Sequence, residues 1–170
     1  MRQHSIFFKI MHWLVALCVL TAFIFANIFE DMKFSPEKLQ YINYHKWVGF
    51  MVIILFVPRL IASFTGYSKL TTKTIEDKLA SLVHFILLLT MISTPILGWL
   101  MSSAKGFQVV LFGKFPIPNI IEKNVELGKQ LSELHEISAQ LMFFALILHI
   151  CGAIIRQFVK KDPVITKMFK

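Results

Sequence analysis

The stretch LHEISAQLMFFALILHICGAIIRQFV, residues 134–159, decides the fold. Nineteen uncharged residues separate Glu136 from Arg156, close to the roughly 20 that an α-helix needs to cross about 30 Å of hydrocarbon. The stretch also contains His135 and His149, fourteen residues apart. Since fourteen residues make nearly four turns at about 3.6 residues each, both imidazoles share one helix face, about 21 Å apart. The stretch therefore predicts a membrane helix with one imidazole near each bilayer surface.

Three other segments also predict membrane helices. One run of twenty uncharged residues ends before Glu30, one of twenty-six ends before Lys105, and a third segment contains only two charges. Hydrophobic residues make up 56% of the chain and the mean hydropathy is +0.65, both above the values of ordinary soluble domains. The predicted spans are about 7–28, 41–64, 79–101 and 134–159. We therefore predict an all-α integral membrane four-helix bundle that forms one domain over residues 1–170.

The basic residues divide unevenly between the two sides of such a bundle. Eleven of the eighteen Lys and Arg residues lie at the termini and around the connection between spans two and three. The other two connections and their flanks hold seven, together with seven of the ten acidic residues. The positive-inside rule then places both termini in the cytoplasm. The net charge of +8 thus follows membrane sidedness and does not indicate a nucleic-acid partner.

Five histidines fall within or beside the predicted spans, at two depths. With the termini inside, the inner level holds His12, His84 and His149, and the outer level holds His45 and His135. A sixth, His4, precedes the first span and is expected to be solvated. Ionisable groups are costly inside a bilayer and usually face the bundle interior with a function. Neutral imidazoles from facing helices, without a thiolate or carboxylate cluster at the same depth, favour haem iron over zinc or di-iron.

Two other uses of these histidines stay open, a proton relay and ordinary interfacial or core packing. Haem, if present, is held non-covalently, because no CxxCH motif occurs. Each ligating ring would need an acceptor for its second nitrogen, such as a helix carbonyl.

Arg59 lies fourteen residues after His45 and therefore on the same helix face at the inner level. A buried guanidinium needs an anion, and a haem propionate has the matching bidentate geometry. The alternative is an arginine that extends from the helix end to the membrane surface. Gly49 follows His45 by one turn and Gly152 follows His149 by three residues. These glycines would let a flat porphyrin approach the helices, although glycine also serves close helix packing.

The connections carry signals of their own. Ser35-Pro36-Glu37 predicts a helix start, because proline fits the first helical position. The longest connection, residues 102–132, contains FPIPNII at 115–121, which is apolar but interrupted by prolines. Such a segment is expected to lie at the membrane interface or to cap the bundle. The three tryptophans are expected in the interfacial belts, namely Trp13, Trp47 and Trp99.

Taken together, these residues resemble the bacterial four-helix di-haem cytochrome b-561 family, which includes the superoxide oxidases. The resemblance covers essentially the whole chain and rests on the order and spacing of several short motifs. These motifs are His12-Trp13-Leu14, Tyr44-His45-Lys46-Trp47-Val48-Gly49, Arg59-Leu60, Pro95-Ile96-Leu97-Gly98, His135-Glu136 and His149.

The resemblance implies two non-covalent b haems, with span four giving one ligand to each. It pairs His135 with His45 on the outer side and His149 with His12 on the inner side. Depth alone does not separate His12 from His84, so His84 remains the runner-up ligand.

The resemblance also implies the function. It predicts a multi-pass protein of the bacterial inner membrane, an oxidoreductase or electron carrier in which no side chain acts as nucleophile or base. Electrons would pass between ubiquinone or ubiquinol of the membrane quinone pool and a periplasmic-side donor or acceptor, with superoxide as one candidate. An alternative is a haem-anchoring electron-transfer subunit of a larger dehydrogenase or hydrogenase complex.

Superoxide is an anion, so the charge of the outer side bears on that candidate. Seven basic and seven acidic residues lie there, and such a balance steers a small anion only weakly. A local basic funnel is still predicted from four lysines, namely Lys105, Lys114, Lys123 and Lys129.

Overall fold

The computed structural model of the chain describes residues 5–66 and 74–169; His4 lies outside them. The helices and strands are α1 Ile6–Glu30, α2 Pro36–Gly66, α3 Ile75–Ala104, β1 Val109–Leu111, β2 Phe115–Ile117, α4 Val125–Ile154 and α5 Val164–Phe169. A π-helical turn, Ile155–Val159, extends α4. Four of the helices, α1 to α4, are long and apolar enough to cross a membrane. This confirms the predicted four-helix membrane architecture.

Polar caps fix where the long helices begin. Ser35 Oγ accepts from the Lys38 N–H at 3.2 Å, and Pro36 is the first residue of α2, as the sequence predicts. Thr74 caps α3 with a reciprocal capping box that involves Asp77. Such side-chain acceptors satisfy N–H groups that have no partner within the helix.

The helix α4 begins at Val125, well before the span predicted from about residue 134. Asn124 Oδ1 accepts from the Leu127 N–H at 3.0 Å and starts the helix there. The first three turns carry charged residues, among them Glu126, Lys129 and Glu133. A search for uncharged runs detects only the part of a helix that lies in hydrocarbon, so it misses turns that extend into water.

The helices run alternately up and down, which gives the bundle two distinct ends. The termini end holds the start of α1, the end of α4 and α5. The hairpin end holds the β-hairpin β1–β2 and the start of α4. Within the bundle, α1 packs along α2, and α3 packs along α4.

The β-hairpin is a departure from the predicted all-α fold. Its strands pair antiparallel from Val109–Ile117 to Leu111–Phe115, and positive φ angles at Phe112 and Gly113 make the turn between them. A turn with two positive φ values matches the twist of the flanking strands. Two three-residue strands with a proline give too short an alternation to be detected in the sequence.

The hairpin caps its end of the bundle, as predicted for this connection. Trp47 on α2 donates its indole N–H to the Val110 carbonyl at 2.8 Å, and its ring lies 5.3 Å from that of Phe112. Trp99 on α3 donates to the Pro118 carbonyl at 3.2 Å. Two of the three tryptophans thus fasten the hairpin to the membrane helices.

A buried apolar layer fills the middle of the bundle. All four long helices contribute to this layer. Phe56, which is 1% exposed, is its largest fully buried side chain. Its members are Val15, Val19, Val52, Phe56, Val83, Leu87, Met91, Met142 and Ala145. Except for Val83, which directly precedes His84, these residues lie between the two histidine levels. The layer therefore separates the two ends of the bundle by dry, close-packed side chains.

Outward-facing positions are apolar as well, as expected for lipid contact. Leu17, Phe85 and Phe144 are each more than 60% exposed in the isolated chain. At the termini end, Arg156 pairs with Asp77 at 2.6 Å and Lys160 pairs with Glu76. These ion pairs join α4 to the start of α3 at the edge of the apolar zone.

Candidate functional site

The hairpin-end level brings His45 of α2 and His135 of α4 together. Their ring centroids are 6.2 Å apart and the rings are nearly perpendicular, at 84°. Both side chains are half-buried. A metal ion about 2 Å from one nitrogen of each ring requires a centroid separation of roughly 6 Å. The pair therefore has the spacing of two axial imidazole ligands.

Each of these rings is oriented by a backbone carbonyl of the neighbouring helix. His45 Nδ1 lies 2.9 Å from the Ala22 carbonyl oxygen of α1, and His135 Nδ1 lies 2.8 Å from the Thr94 carbonyl oxygen of α3. Since a carbonyl only accepts, Nδ1 carries the proton in both rings and Nε2 keeps its lone pair. This is the outer-shell arrangement typical of metal-ligating histidines.

Gly98 gives His135 its place against α3. A Cβ at Gly98 would lie 3.1 Å from His135 Cε1 and 3.2 Å from Nδ1, closer than ordinary van der Waals contact. Gly98 is thus a close-approach position for the imidazole. The sequence analysis named Gly98 only as the last residue of the motif that begins at Pro95, and this contact gives the glycine a role.

A cluster of hydroxyl groups lies beside the same ring. Ser138 Oγ is 2.7 Å from Thr94 Oγ1 and 2.9 Å from Ser93 Oγ. The cluster joins α3 to α4 at the residue whose carbonyl orients His135. No motif in the sequence singles out these hydroxyls.

The termini-end level brings together His12 of α1, His149 of α4, His84 of α3 and Arg59 of α2. The His12 and His149 ring centroids are 6.3 Å apart, nearly the separation of the other pair. His84 is closer to His149, at 5.1 Å, and is the only exposed member of the described five. The 6.3 Å separation fits two imidazoles on opposite sides of one iron, whereas 5.1 Å is too short for that arrangement.

Arg59 contacts this level from α2. Its Nη2 lies 3.0 Å from His12 Nδ1, and its guanidinium carbon lies 5.8 Å from the centre of the Phe8 ring. Its Nη1 lies 3.9 Å from Met91 Sδ. Within the described part of the chain, its buried Nε has no hydrogen-bond partner. Arg59 thus packs inside the bundle and keeps one N–H donor for an anion.

The Arg59 contact distinguishes the termini-end level from the hairpin-end level. A guanidinium only donates, so in this contact His12 Nδ1 accepts and Nε2 carries the ring proton. Binding of iron through Nε2 therefore requires that the ring proton move from Nε2 to Nδ1, which ends this contact and leaves the Arg59 head to an anion.

The two glycines beside the candidate ligands face open space. A Cβ at Gly49, one turn from His45, or at Gly152, three residues from His149, meets no atom within 4 Å. Neither glycine is explained by tight helix packing against the described residues. Both positions leave room for a flat group beside the histidines.

Three of the four lysines of the predicted funnel contact different neighbours. Lys105 Nζ donates to Ser132 Oγ at 2.5 Å, and Lys129 lies 3.9 Å from Glu126. The carbon chain of Lys123 packs beside Gly106. Lys105 and Lys129 are thus engaged with neighbours at the start of α4.

The five predicted ligand candidates therefore meet in two groups, and the core layer lies between them. Across residues 5–66 and 74–169, no cluster of three or more His, Cys, Asp or Glu side chains is placed to hold a metal ion. Sequence reasoning did not identify the orienting carbonyls, because a backbone acceptor leaves no mark in residue type. It named Gly98 without its role.

Known proteins resemble this chain over nearly its whole length. Residues 3–170 match the family model described as prokaryotic cytochrome b561. Probable superoxide oxidase CybB of Yersinia pestis is 25% identical over 171 residues, which cover 92% of this chain and 90% of that protein. Cytochrome b561 homolog 1 of Escherichia coli (strain K12) is 24% identical over 163 residues, which cover 93% and 92% of the two chains.

Proposed function

Because this chain belongs to the prokaryotic cytochrome b561 family of membrane electron-transfer proteins, we propose that it binds two b haems and passes single electrons between ubiquinone and a partner at the opposite membrane face. It is a multi-pass protein of the bacterial inner membrane. In the proposed orientation both termini are cytoplasmic, so the termini end faces the cytoplasm and the hairpin end faces the periplasm.

The observation that carries the proposal is the matched pair of histidine spacings, 6.2 Å at the hairpin end and 6.3 Å at the termini end. Haem iron, when bound, supplies one-electron redox chemistry. His45 and His135 would hold one haem, with their Nδ1–H groups bonded to carbonyls. His12 and His149 would hold the other.

The remaining residues of the site position the group and exclude water. Gly49 and Gly152 leave space beside the ligands. The unpartnered Nε of Arg59 is a donor suited to a propionate. The buried layer around Phe56 keeps water out of the interval between the two levels, and a dry environment is one determinant of redox potential.

Superoxide is the candidate partner at the periplasmic face, since one relative is named as a probable superoxide oxidase. Each superoxide would lose one electron and leave as O₂. Each ubiquinone would gain two electrons and two protons and become ubiquinol. Two superoxide anions are therefore consumed per quinone.

The test uses the purified full chain in lipid nanodiscs, with its haem oxidation state followed optically. Superoxide generated enzymatically is expected to reduce the haem, and added decylubiquinone is expected to oxidise it again. Superoxide dismutase, which removes the donor, is the control. Haem that exchanges electrons with decylubiquinol but not with superoxide would overturn the superoxide assignment. Haem that does not react with quinone at all would overturn the proposed function.

A glycine substitution tests the geometry of the hairpin-end site. Gly98→Ala places a methyl group 3.1 Å from His135 Cε1, so the ring must shift by a few tenths of an ångström, which disturbs its hydrogen bond to the Thr94 carbonyl. Changes around metal-ligating histidines typically cost ten- to a hundredfold in affinity. We expect at least roughly tenfold weaker haem binding at the hairpin end, measured by hemin titration of the apoprotein.

The termini-end haem is the internal control for this variant, because Gly98 is remote from His12 and His149. Equal weakening of both haems would indicate a general folding defect. Two haems bound with wild-type affinity would show that the close contact of Gly98 with His135 has no bearing on ligation.

A further inference from the structure

A groove runs along the outside of α1 at the termini end. It has a volume of about 490 Å³, within the range of small-molecule sites. One wall is the start of α1, with Lys9 and Trp13, and the other is the short helix α5, with Met168 and Phe169. The lining is mostly apolar.

The two walls are held together by specific contacts. Trp13 donates its indole N–H to the Met168 carbonyl at 3.2 Å, and its ring stacks on Phe169 at 4.6 Å. Gln157 Oε1 accepts from the backbone N–H of Ile165 at 3.0 Å and so anchors the start of α5. The groove is therefore a built feature of the fold, with an aromatic floor.

Lys9 gives this groove a polar point. Its side chain is only 8% exposed although it lines an apolar groove. In the described parts of the chain, Lys9 Nζ has neither a hydrogen-bond acceptor nor a carboxylate partner. Lys9 as a whole lies largely out of water, and partial loss of hydration is costly for an ammonium that has no acceptor, so a ligand with an exposed oxygen is favoured at the edge of this groove.

Trp13 links the groove to the termini-end histidines. Its ring centroid lies 5.3 Å from that of His12, so the indole contacts the imidazole on one side and the groove on the other. A ligand seated on Trp13 is one aromatic ring away from His12. This contact gives an electron a short route between a bound ligand and the candidate haem level.

The groove also opens toward lipid. Ile6 and Ile10, on its α1 wall, are 74% and 50% exposed on a membrane-spanning helix. A molecule with an apolar tail can therefore enter sideways from the bilayer.

The geometry points to this groove as the site where a membrane quinone binds, with Lys9 donating a hydrogen bond to one quinone carbonyl and Trp13 packing against the ring. The assignment rests on the proposed function and adds a location to it. A quinone matches the groove because it has a flat apolar ring, carbonyl oxygens that only accept and an isoprenoid tail that stays in lipid.

A second groove, at the hairpin end, fits less well. It has about 250 Å³ and is lined by Tyr44, Trp47 and other apolar side chains. The indole N–H of Trp47 is already bonded to Val110, and the Tyr44 hydroxyl is 2.6 Å from Gln40. This groove is smaller and contains no cation.

The test combines photolabelling with variants of the full haem-loaded chain in nanodiscs. An azido-ubiquinone is expected to label residues of α1 and α5 that line the groove, as mapped by mass spectrometry. In Lys9→Met, the decylubiquinone concentration that halves this labelling is expected to rise roughly tenfold or more, because a charged hydrogen bond is lost. Lys9→Arg keeps the donor and is expected to retain most of the affinity.

Two matched controls accompany Lys9→Met. Lys33→Met removes an exposed lysine at the hairpin end, and Trp47→Phe alters the second groove; neither is expected to change labelling at α1. The haem-to-protein ratio of Lys9→Met checks that the variant folds. Labelling centred on Trp47, or equal competition in wild type and Lys9→Met, overturns the assignment.

Failure of the proposed function would look different. In that case haem of the wild-type chain would not be oxidised by decylubiquinone at all. If the wild type reacts with quinone and Lys9→Met reacts equally well with unchanged affinity, only the location is wrong.

Discussion

Replacing His135 with alanine is expected to lower the haem content from about two to about one per chain, with loss of the hairpin-end haem alone. The reason is geometric. The ring centroids of His135 and His45 are 6.2 Å apart, and each Nδ1–H is bonded to a backbone carbonyl, which leaves the Nε2 lone pair available to iron. Removal of one imidazole would leave the haem with only one histidine to hold it. The measurement is haem per protein by pyridine haemochrome, together with the reduced-minus-oxidised spectrum.

Companion variants separate ligation from folding. His45→Ala is expected to give the same loss, and the double variant is expected to lose no more than either single one, because both rings serve one haem. Glu136→Gln changes the exposed neighbour of His135 and is expected to keep both haems. Retention of both haems in His135→Ala would contradict paired ligation at the hairpin end.

The second large effect is expected at the termini end, where three histidines compete for two positions. His12→Ala and His149→Ala should each remove the other haem, while His84→Ala should leave both bound. The 6.3 Å separation of His12 and His149 fits two axial ligands. The 5.1 Å separation of His84 and His149 is short for that arrangement, and His84 is exposed.

The outcome of His84→Ala decides between the two candidates. Loss of one haem in this variant, with retention in His12→Ala, would make His84 the ligand.

Arg59→Met tests the residue that contacts the termini-end level from α2. It is expected to keep both haems and to lower the midpoint potential of the termini-end haem by on the order of 50 mV, since a nearby cation disfavours the oxidised iron. Arg59→Lys keeps the charge and is expected to shift the potential less.

The fold was largely predictable from local pattern. Uncharged runs of about 20 residues or more indicated three of the membrane helices, and an apolar segment with only two charges indicated the fourth. Ser35-Pro36 marked the start of α2. The polar first turns of α4 and the hairpin were missed. The length of an apolar run indicates only the part of a helix that lies in hydrocarbon. Strands of three residues are too short to show an alternating pattern.

The candidate site was predictable in its residue types and depths, but not in its contacts. The fourteen-residue spacing of His135 and His149 fixes their common face through the helix period. It cannot tell which ring on another helix lies opposite. Likewise, nothing in the residue types of Ala22 and Thr94 announces that their carbonyls orient the ligands.

The sequence by itself determined that this protein is a membrane bundle with imidazoles at two depths, because hydropathy and helix period act along a single chain. Only the tertiary structure decided that His45 meets His135. It also decided that His12, and not His84, lies at the ligand spacing from His149. The groove that Lys9 and Trp13 share with α5 is likewise a tertiary feature. Those relations depend on how neighbouring helices pack and rotate against each other, which is a property of side-chain fit between elements distant in sequence.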